Sequence, residues 1–170
     1  ASLQSRVEAG VGLAIVLGDR VDMRHYNAQV LPALCPATLM SVQGSPNATS
    51  AFQALPAVLP DHPMLTGLKQ SDSFQSPRFY AAYQVRPEPE TAPVLSLTTG
   101  VPILLEHRLG MGRTVLFASA LNTDLTWTDL PIRGFFLPFV HRLSGYLAAG
   151  AFGRADYRVE QTVYRDIRGD

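Results

Sequence analysis

Residues Leu13 to Leu17 form an unbroken apolar run, Leu-Ala-Ile-Val-Leu, closed by Gly12 on one side and Gly18 on the other. Five consecutive apolar residues cannot alternate between core and solvent, so a strand made of them must be covered on both faces, as in a parallel sheet. Parallel strands need crossover connections of a dozen or more residues, so the run predicts an α/β fold with a neighbouring strand on each side. Ahead of it, Leu3 and Val7 stand four apart on one side of a helix end that Gly10 stops.

The rest of the chain predicts a mixture of helix and antiparallel strand. Asp22 is expected to cap a short helix running to about Leu31, with Pro32 and Pro36 ending it. Ser41 to Asn47 reads as loop, and Ala51 to Leu59, which carries Pro56, as an edge strand or extended loop. Asp61-His62-Pro63 opens a turn or short helix. Arg78 to Arg86 predicts a strand with Phe79, Ala81, Tyr83 and Val85 on one face. Val94 to Leu97, Ile103 to Leu105 and Thr114 to Ala118 follow as strands separated by Thr99-Gly100 and Gly110-Met111-Gly112. Links this short make those three antiparallel. Asp129 and Pro131 start a long amphipathic helix, with Ile132, Phe135, Phe136, Phe139, Val140, Leu143, Tyr146 and Leu147 at three-to-four spacing and Pro138 as a kink. Residues 1–150 are thus expected to form one domain, and 151–170 a linker or the start of a following segment.

Composition removes several functions. Lys+Arg and Asp+Glu both count 14, so no net field draws the chain to nucleic acid or an anionic bilayer. The single cysteine, Cys35, excludes an internal disulfide and any paired-cysteine zinc or redox motif. No apolar run reaches the length of about 18 residues that spans a bilayer. The chain begins at Ala1 without an initiator methionine or a signal-like segment, which is expected of a chain whose true beginning has been removed.

The order of these elements resembles the later part of a class I glutamine amidotransferase-like domain. Val7-Glu8-Ala9-Gly10-Val11-Gly12-Leu13 is similar to that superfamily's helix end and glycine pair leading into a strand, with Val11 where a further glycine is common. Asp61 to Leu68 and Gly110 to Arg113 are similar to segments of its trehalose-utilisation-like branch. Gly18-Asp19, Tyr26-Asn27, Pro102 to Glu106, Trp127 to Pro131 and Phe136 to Leu143 resemble the version found in Bat-type aerotolerance membrane proteins, where helices anchor the chain and a von Willebrand A domain often precedes. The likeness covers about residues 3 to 149. It implies a flavodoxin-like three-layer sandwich whose mixed sheet combines a parallel core with antiparallel hairpins, truncated at the N-terminus so that the first strands are missing. It also implies a bacterial cell-envelope setting, with the other domains of the parent protein or neighbouring membrane proteins as partners. The truncated sheet edge is then open to a second copy or to a missing segment.

An active member of that superfamily needs a cysteine on a sharp strand-to-helix turn, beside oxyanion-binding amides and a histidine base. By the resemblance that turn falls at Leu17-Gly18-Asp19, which holds neither Cys nor Ser. Cys35, set between Leu34 and Pro36, lacks the preceding strand and small neighbours of an elbow and reads as a buried thiol. His25, His62, His107 and His141 are scattered without metal-ligand spacing, so no metal site is expected, nor any cofactor. His62, before Pro63, is the candidate base of a hydrolase reading, weighed against a plain turn histidine. Glu106 and His107 alternate across a strand and point to opposite faces. Gly110 to Arg113 joins two strands and reads as a hairpin turn in preference to a phosphate loop.

Two surfaces remain. Asp19, Arg20, Asp124 and Trp127, with His62, are the candidate ligand-binding residues, since α/β sheets bind ligands at their strand ends. Capping by Asp129 and packing of Trp127 compete with that reading. On the long helix, Leu137, Pro138 and Ala148 are the candidate interaction surface, the remainder of an apolar stripe wider than one core contact needs. Asn47-Ala48-Thr49 is a formal glycosylation triplet. The chain therefore reads as a non-catalytic structural or interaction module, with a small-molecule or carbohydrate sensor and a hydrolase as alternatives.

Overall fold

A computed structural model describes residues 2–46, 50–68, 76–121 and 124–151. The glycosylation triplet and, apart from Ala151, the expected linker 151–170 lie outside the described residues. The helix end is α1 (Leu3–Glu8), capped by Ser2, whose side-chain oxygen accepts from the Ser5 N–H at 3.2 Å. Gly10, at φ 113, then turns the chain into β1 (Gly12–Val16).

Asp22 caps the next helix as expected, accepting from the Arg24 and His25 amides. The helix runs further than Pro32 suggests. It comprises α2 (Met23–His25), a π turn (Tyr26–Val30) and α3 (Leu31–Leu34). Pro32 lies in the first turn of α3, where a missing amide costs little. The segment expected to be a loop after Ser41 is part of β2 (Ala37–Gly44), which pairs antiparallel with β5 (Ala81–Pro87). Asn27 clasps β2 from the π turn, donating to the Leu39 carbonyl at 2.9 Å and accepting its amide at 2.8 Å. Between these strands, β3 (Gln53–Ala54) and β4 (Arg78–Phe79) form a two-residue pair, the remnant of the expected edge strand.

The main sheet is mixed and four-stranded, in the order β1, β8 (Gly112–Phe117), β7 (Pro102–Leu109), β6 (Thr91–Ser96). The three later strands are antiparallel as predicted, and β1 runs parallel to β8 in continuous register from Gly12↔Arg113 to Val16↔Phe117. The second neighbour expected beside β1 is not among the described residues. Among the described residues β1 is an edge strand, with Ala14 exposed and Val16 exposed by 42%. Its apolar run reflects proximity to the core, since only Leu17, just beyond it, is fully buried.

The long helix starts later than the sequence suggests. Leu130–Ile132 form a 3-10 turn, and α4 spans Phe136–Ala151. Asp129 makes no cap bond. Its Oδ1 accepts from the Arg78 amide at 2.7 Å and its Oδ2 pairs with Arg133, while Thr128 Oγ1 accepts from Leu130 N–H at 3.1 Å and takes over the cap. Pro138 sits in the first turn of α4, where no intrahelical partner is lost. Phe139 on α4 meets Phe117 on β8, with ring centroids 6.3 Å apart. Gly12 is required at the same interface, because a Cβ there would stand 2.5 Å from the Leu147 carbonyl oxygen.

Candidate functional site

At the end of β1, the turn Leu17-Gly18-Asp19 is where the resemblance puts a nucleophile. None of these three residues has a positive φ, so the turn carries none of the backbone strain that exposes an attacking atom. The space at Gly18 is open, with nothing within 4 Å of where a Cβ would stand, yet no functional atom occupies it. Instead, Tyr83 reaches in from β5 and its hydroxyl donates to the Gly18 carbonyl at 2.8 Å. Burial chiefly raises the Tyr83 phenol above its ordinary range, and the nearby charge of Asp19 adds to the shift. Cys35 is fully buried. Burial pushes its thiol up to about 12, the neighbouring Thr91 hydroxyl offsetting part of the rise and the charge of Glu106 adding to it.

Of the sequence-predicted ligand residues, Asp19 and Trp127 both neighbour Tyr83, whose hydroxyl bonds Gly18 and whose ring stacks on Trp127. Asp19 and Arg20 form a loose pair at 4.0 Å, with Arg20 side-chain exposure of 93%. Trp127 is core: it stacks on Tyr83 with ring centroids 5.2 Å apart, and its carbonyl accepts the Tyr80 and Ala81 amides. Asp124 is exposed and closes a local turn, accepting from the Thr126 amide at 3.1 Å and its hydroxyl at 3.0 Å. Leu125 beside it is the one non-glycine residue with positive φ (57°) among those described.

His62 belongs to a different cluster, centred on a carboxylate that sequence reasoning misses. Glu106 on β7 lies beneath α4, its side chain only 10% exposed. Its Oε1 accepts from the Tyr146 hydroxyl of α4 at 2.7 Å and has Arg113 Nε of β8 at 3.9 Å. His62 Nδ1 accepts the Met64 amide at 3.3 Å, which leaves Nε2 to donate to Glu106 Oε2 at 3.1 Å. The Arg113 guanidinium lies 4.4 Å from the Tyr146 ring centroid, and the His62 ring meets the same ring edge-on at 5.3 Å. Burial, the hydrogen bond to Glu106 and that carboxylate's charge together push the Tyr146 phenol up to about 12. Both ring nitrogens of His62 are hydrogen-bonded, Nδ1 to a backbone amide and Nε2 to a carboxylate. The cluster is a clasp fastening the 61–68 turn and α4 to the sheet. His107 faces the other way and its Nδ1 contacts the Glu90 carbonyl at 3.0 Å, as the alternation predicts.

Leu137 and Pro138 line a groove of about 430 Å³ with Gly67, Leu68, His141 and Arg142. Leu137 is 76% exposed there. Ala148 is exposed on the same helix three turns on and lies outside that groove. Among the described residues no group of three or more His, Cys, Asp or Glu is placed to hold a metal ion. No described helix is long and apolar enough to cross a membrane.

Against this geometry, known proteins offer shape and little else. No protein-family model matches the sequence. No curated protein matches it. Solved structures do match. The cytoplasmic protein STM3548 of Salmonella typhimurium superposes with a TM-score of 0.64 at 20% identity, over 85% of this chain and 58% of that one. The cytoplasmic protein STM1381 of Salmonella typhimurium LT2 gives 0.60 at 16% identity, over 88% and 58%. The likeness is one of fold. A β-galactosidase of Rahnella sp. R3 matches at 0.58 and 12% identity, over 86% of this chain and only 20% of the enzyme. The chain therefore spans under two thirds of each of these three proteins.

Proposed function

We propose that the chain is a degenerate amidotransferase-like domain that serves as a non-catalytic structural or protein-interaction module of a larger membrane-anchored bacterial protein. In this reading the scaffold is the flavodoxin-like three-layer sandwich, and the setting is the cell envelope. The observation that carries it is the turn after β1: no nucleophile, no left-handed backbone, and the Tyr83 hydroxyl bound to the Gly18 carbonyl. The thiol is buried and hard to ionise, and His62 is bound to Glu106 beneath α4.

Partners in this reading are the remaining domains of the parent protein or neighbouring membrane proteins, received by exposed apolar surface such as Leu137, with the half-buried Pro138 beside it. The two Salmonella proteins are called cytoplasmic, a description of those proteins; at 20% and 16% identity they share the fold with this chain.

The test is ammonia release from glutamine by the purified chain, by Cys35→Ala and by His62→Ala. All three are expected at the buffer background. Turnover above background that either substitution abolishes would restore the enzyme reading. The setting is tested separately, by fractionating bacteria that express the whole parent protein. A membrane pellet is expected, and recovery wholly in the soluble fraction would contradict it.

A further inference from the structure

His62 opens the 61–68 turn with a different partner on each ring nitrogen. Nδ1 lies 3.3 Å from the Met64 N–H, a group that can only donate, so Nδ1 carries a lone pair and the imidazole is neutral, with its proton on Nε2. Nε2 in turn donates to Glu106 Oε2 at 3.1 Å. The ring sits where protons reach it, its side chain 21% exposed against 10% for Glu106. A second proton acts on these two contacts in opposite senses. On Nδ1 it turns the acceptor of the Met64 amide into a donor facing another donor, and that bond is lost. The same charge makes an ion pair of the contact with Glu106, in a place too covered for water and salt to screen it fully.

We propose that His62 is a proton-operated latch on the 61–68 turn. Neutral, its ring holds the Met64 amide; protonated, it releases that amide and binds Glu106 as an ion pair. Charged and titratable groups come from each element of the cluster: Glu106 and Arg108 from β7, Arg113 from β8, Tyr146 with the exposed His141 and Arg142 from α4, and Asp61 from the turn itself. Glu106 is the one that hydrogen-bonds the imidazole, so the ion pair forms there, with Arg113 at 3.9 Å from the other carboxylate oxygen. The rest of the turn holds in both states. The His62 carbonyl accepts the Leu65 and Thr66 amides at 2.8 and 3.0 Å and the Thr66 hydroxyl at 3.1 Å, and none of these bonds uses the ring. The change is therefore confined to the Met64 peptide group, in the segment whose Gly67 and Leu68 wall the groove beside Leu137.

The test is nuclear magnetic resonance on the full 170-residue chain from about pH 8 to about pH 5, the interval over which histidines charge. At the upper end the ring is expected to show Nε2 protonated and Nδ1 bare. On acidification the Met64 amide proton is expected to move upfield with the same midpoint as the His62 ring. Its protection against exchange, corrected for the intrinsic effect of pH, falls severalfold, while the Leu65 and Thr66 amides keep theirs. His62→Asn is the control, because its side-chain oxygen accepts the amide two residues on and takes up no proton, so Met64 stays protected throughout. If that variant fails to fold, the wild-type measurements decide. A ring with its proton on Nδ1 at the upper end, a ring that stays neutral over the whole interval, or Met64 protection unchanged while the ring charges overturns the latch. So does the same Met64 response in His62→Asn. These readings are independent of glutamine turnover, so the latch and the non-catalytic reading stand or fall separately.

Discussion

Replacing Tyr146 with phenylalanine removes one hydroxyl from the clasp beneath α4 and leaves its ring contacts in place. The hydroxyl donates to Glu106 Oε1 at 2.7 Å, and the carboxylate is too covered for water to substitute freely. Hydrogen bonds to charged groups contribute roughly 1.5–3 kcal/mol, so Tyr146→Phe is expected to cost about 2 kcal/mol. For a chain of this size each kcal/mol moves the melting temperature by about 2–4 °C, which gives a fall of about 4–8 °C at neutral pH. Urea denaturation followed by circular dichroism is expected to show a lower midpoint with an unchanged slope. Alkaline pH supplies a second check. The native phenol is pushed up to about 12 from 10.0, so above pH 10 the unfolded chain releases a proton that the native chain keeps. Native stability from this group is complete below pH 10 and is lost as pH rises through about 12. The difference between wild type and Tyr146→Phe must therefore narrow between pH 10 and 12. A melting change within about 1 °C at neutral pH, on the same scale, or a gap that widens on the alkaline side, would refute the clasp.

Gly12→Ala forces a Cβ to within 2.5 Å of the Leu147 backbone and is expected to cost about 1–3 kcal/mol in urea denaturation, whereas Gly18→Ala, with open space around it, stays neutral or gains up to about 1 kcal/mol. Asp129→Ala strips a buried partner from the Arg78 amide and from Arg133, and is expected to cost about 2–3 kcal/mol by the same measurement. Cys35→Ala removes a thiol held at about 12 from 9.0, whose stabilising contribution is complete below pH 9 and lost as pH rises through about 12. Its pH-stability curve is therefore expected to fall less steeply than that of the wild type over that interval.

The β-rich second half is legible because its apolar runs and short turns carry local information, and β6 to β8 form where Val94, Ile103 and Thr114 indicate. Strand β2 is not, since Ser41, Gln43 and Gly44 resemble a loop, and what makes them strand is pairing with Gln84, Ala82 and Ala81 of β5, far along the chain. The position of β1 escapes the sequence because an apolar run reports burial potential, which an edge strand can leave unused. The packing of Trp127 is foreseeable from its size, but its stacking partner Tyr83 lies too far along the chain for any local pattern. The Glu106 clasp joins residues 40 and 44 positions apart, and its one local signal is a carboxylate interrupting the apolar run Ile103 to Leu105. Asp129 sits where a cap is expected, and Thr128 displaces it by one residue because Asp129 is committed to Arg78 and Arg133.

The central claim is that the turn following β1 holds no attacking atom and that the chain's one thiol is sealed in the core. Intact-mass analysis of the native chain after incubation with an electrophilic glutamine analogue tests it most directly, with the same reaction in denaturant as the reference. The account predicts no adduct on the native chain and a single adduct, at Cys35, once it is unfolded. Rapid stoichiometric modification of the folded protein, on Cys35 or on any hydroxyl, would contradict it.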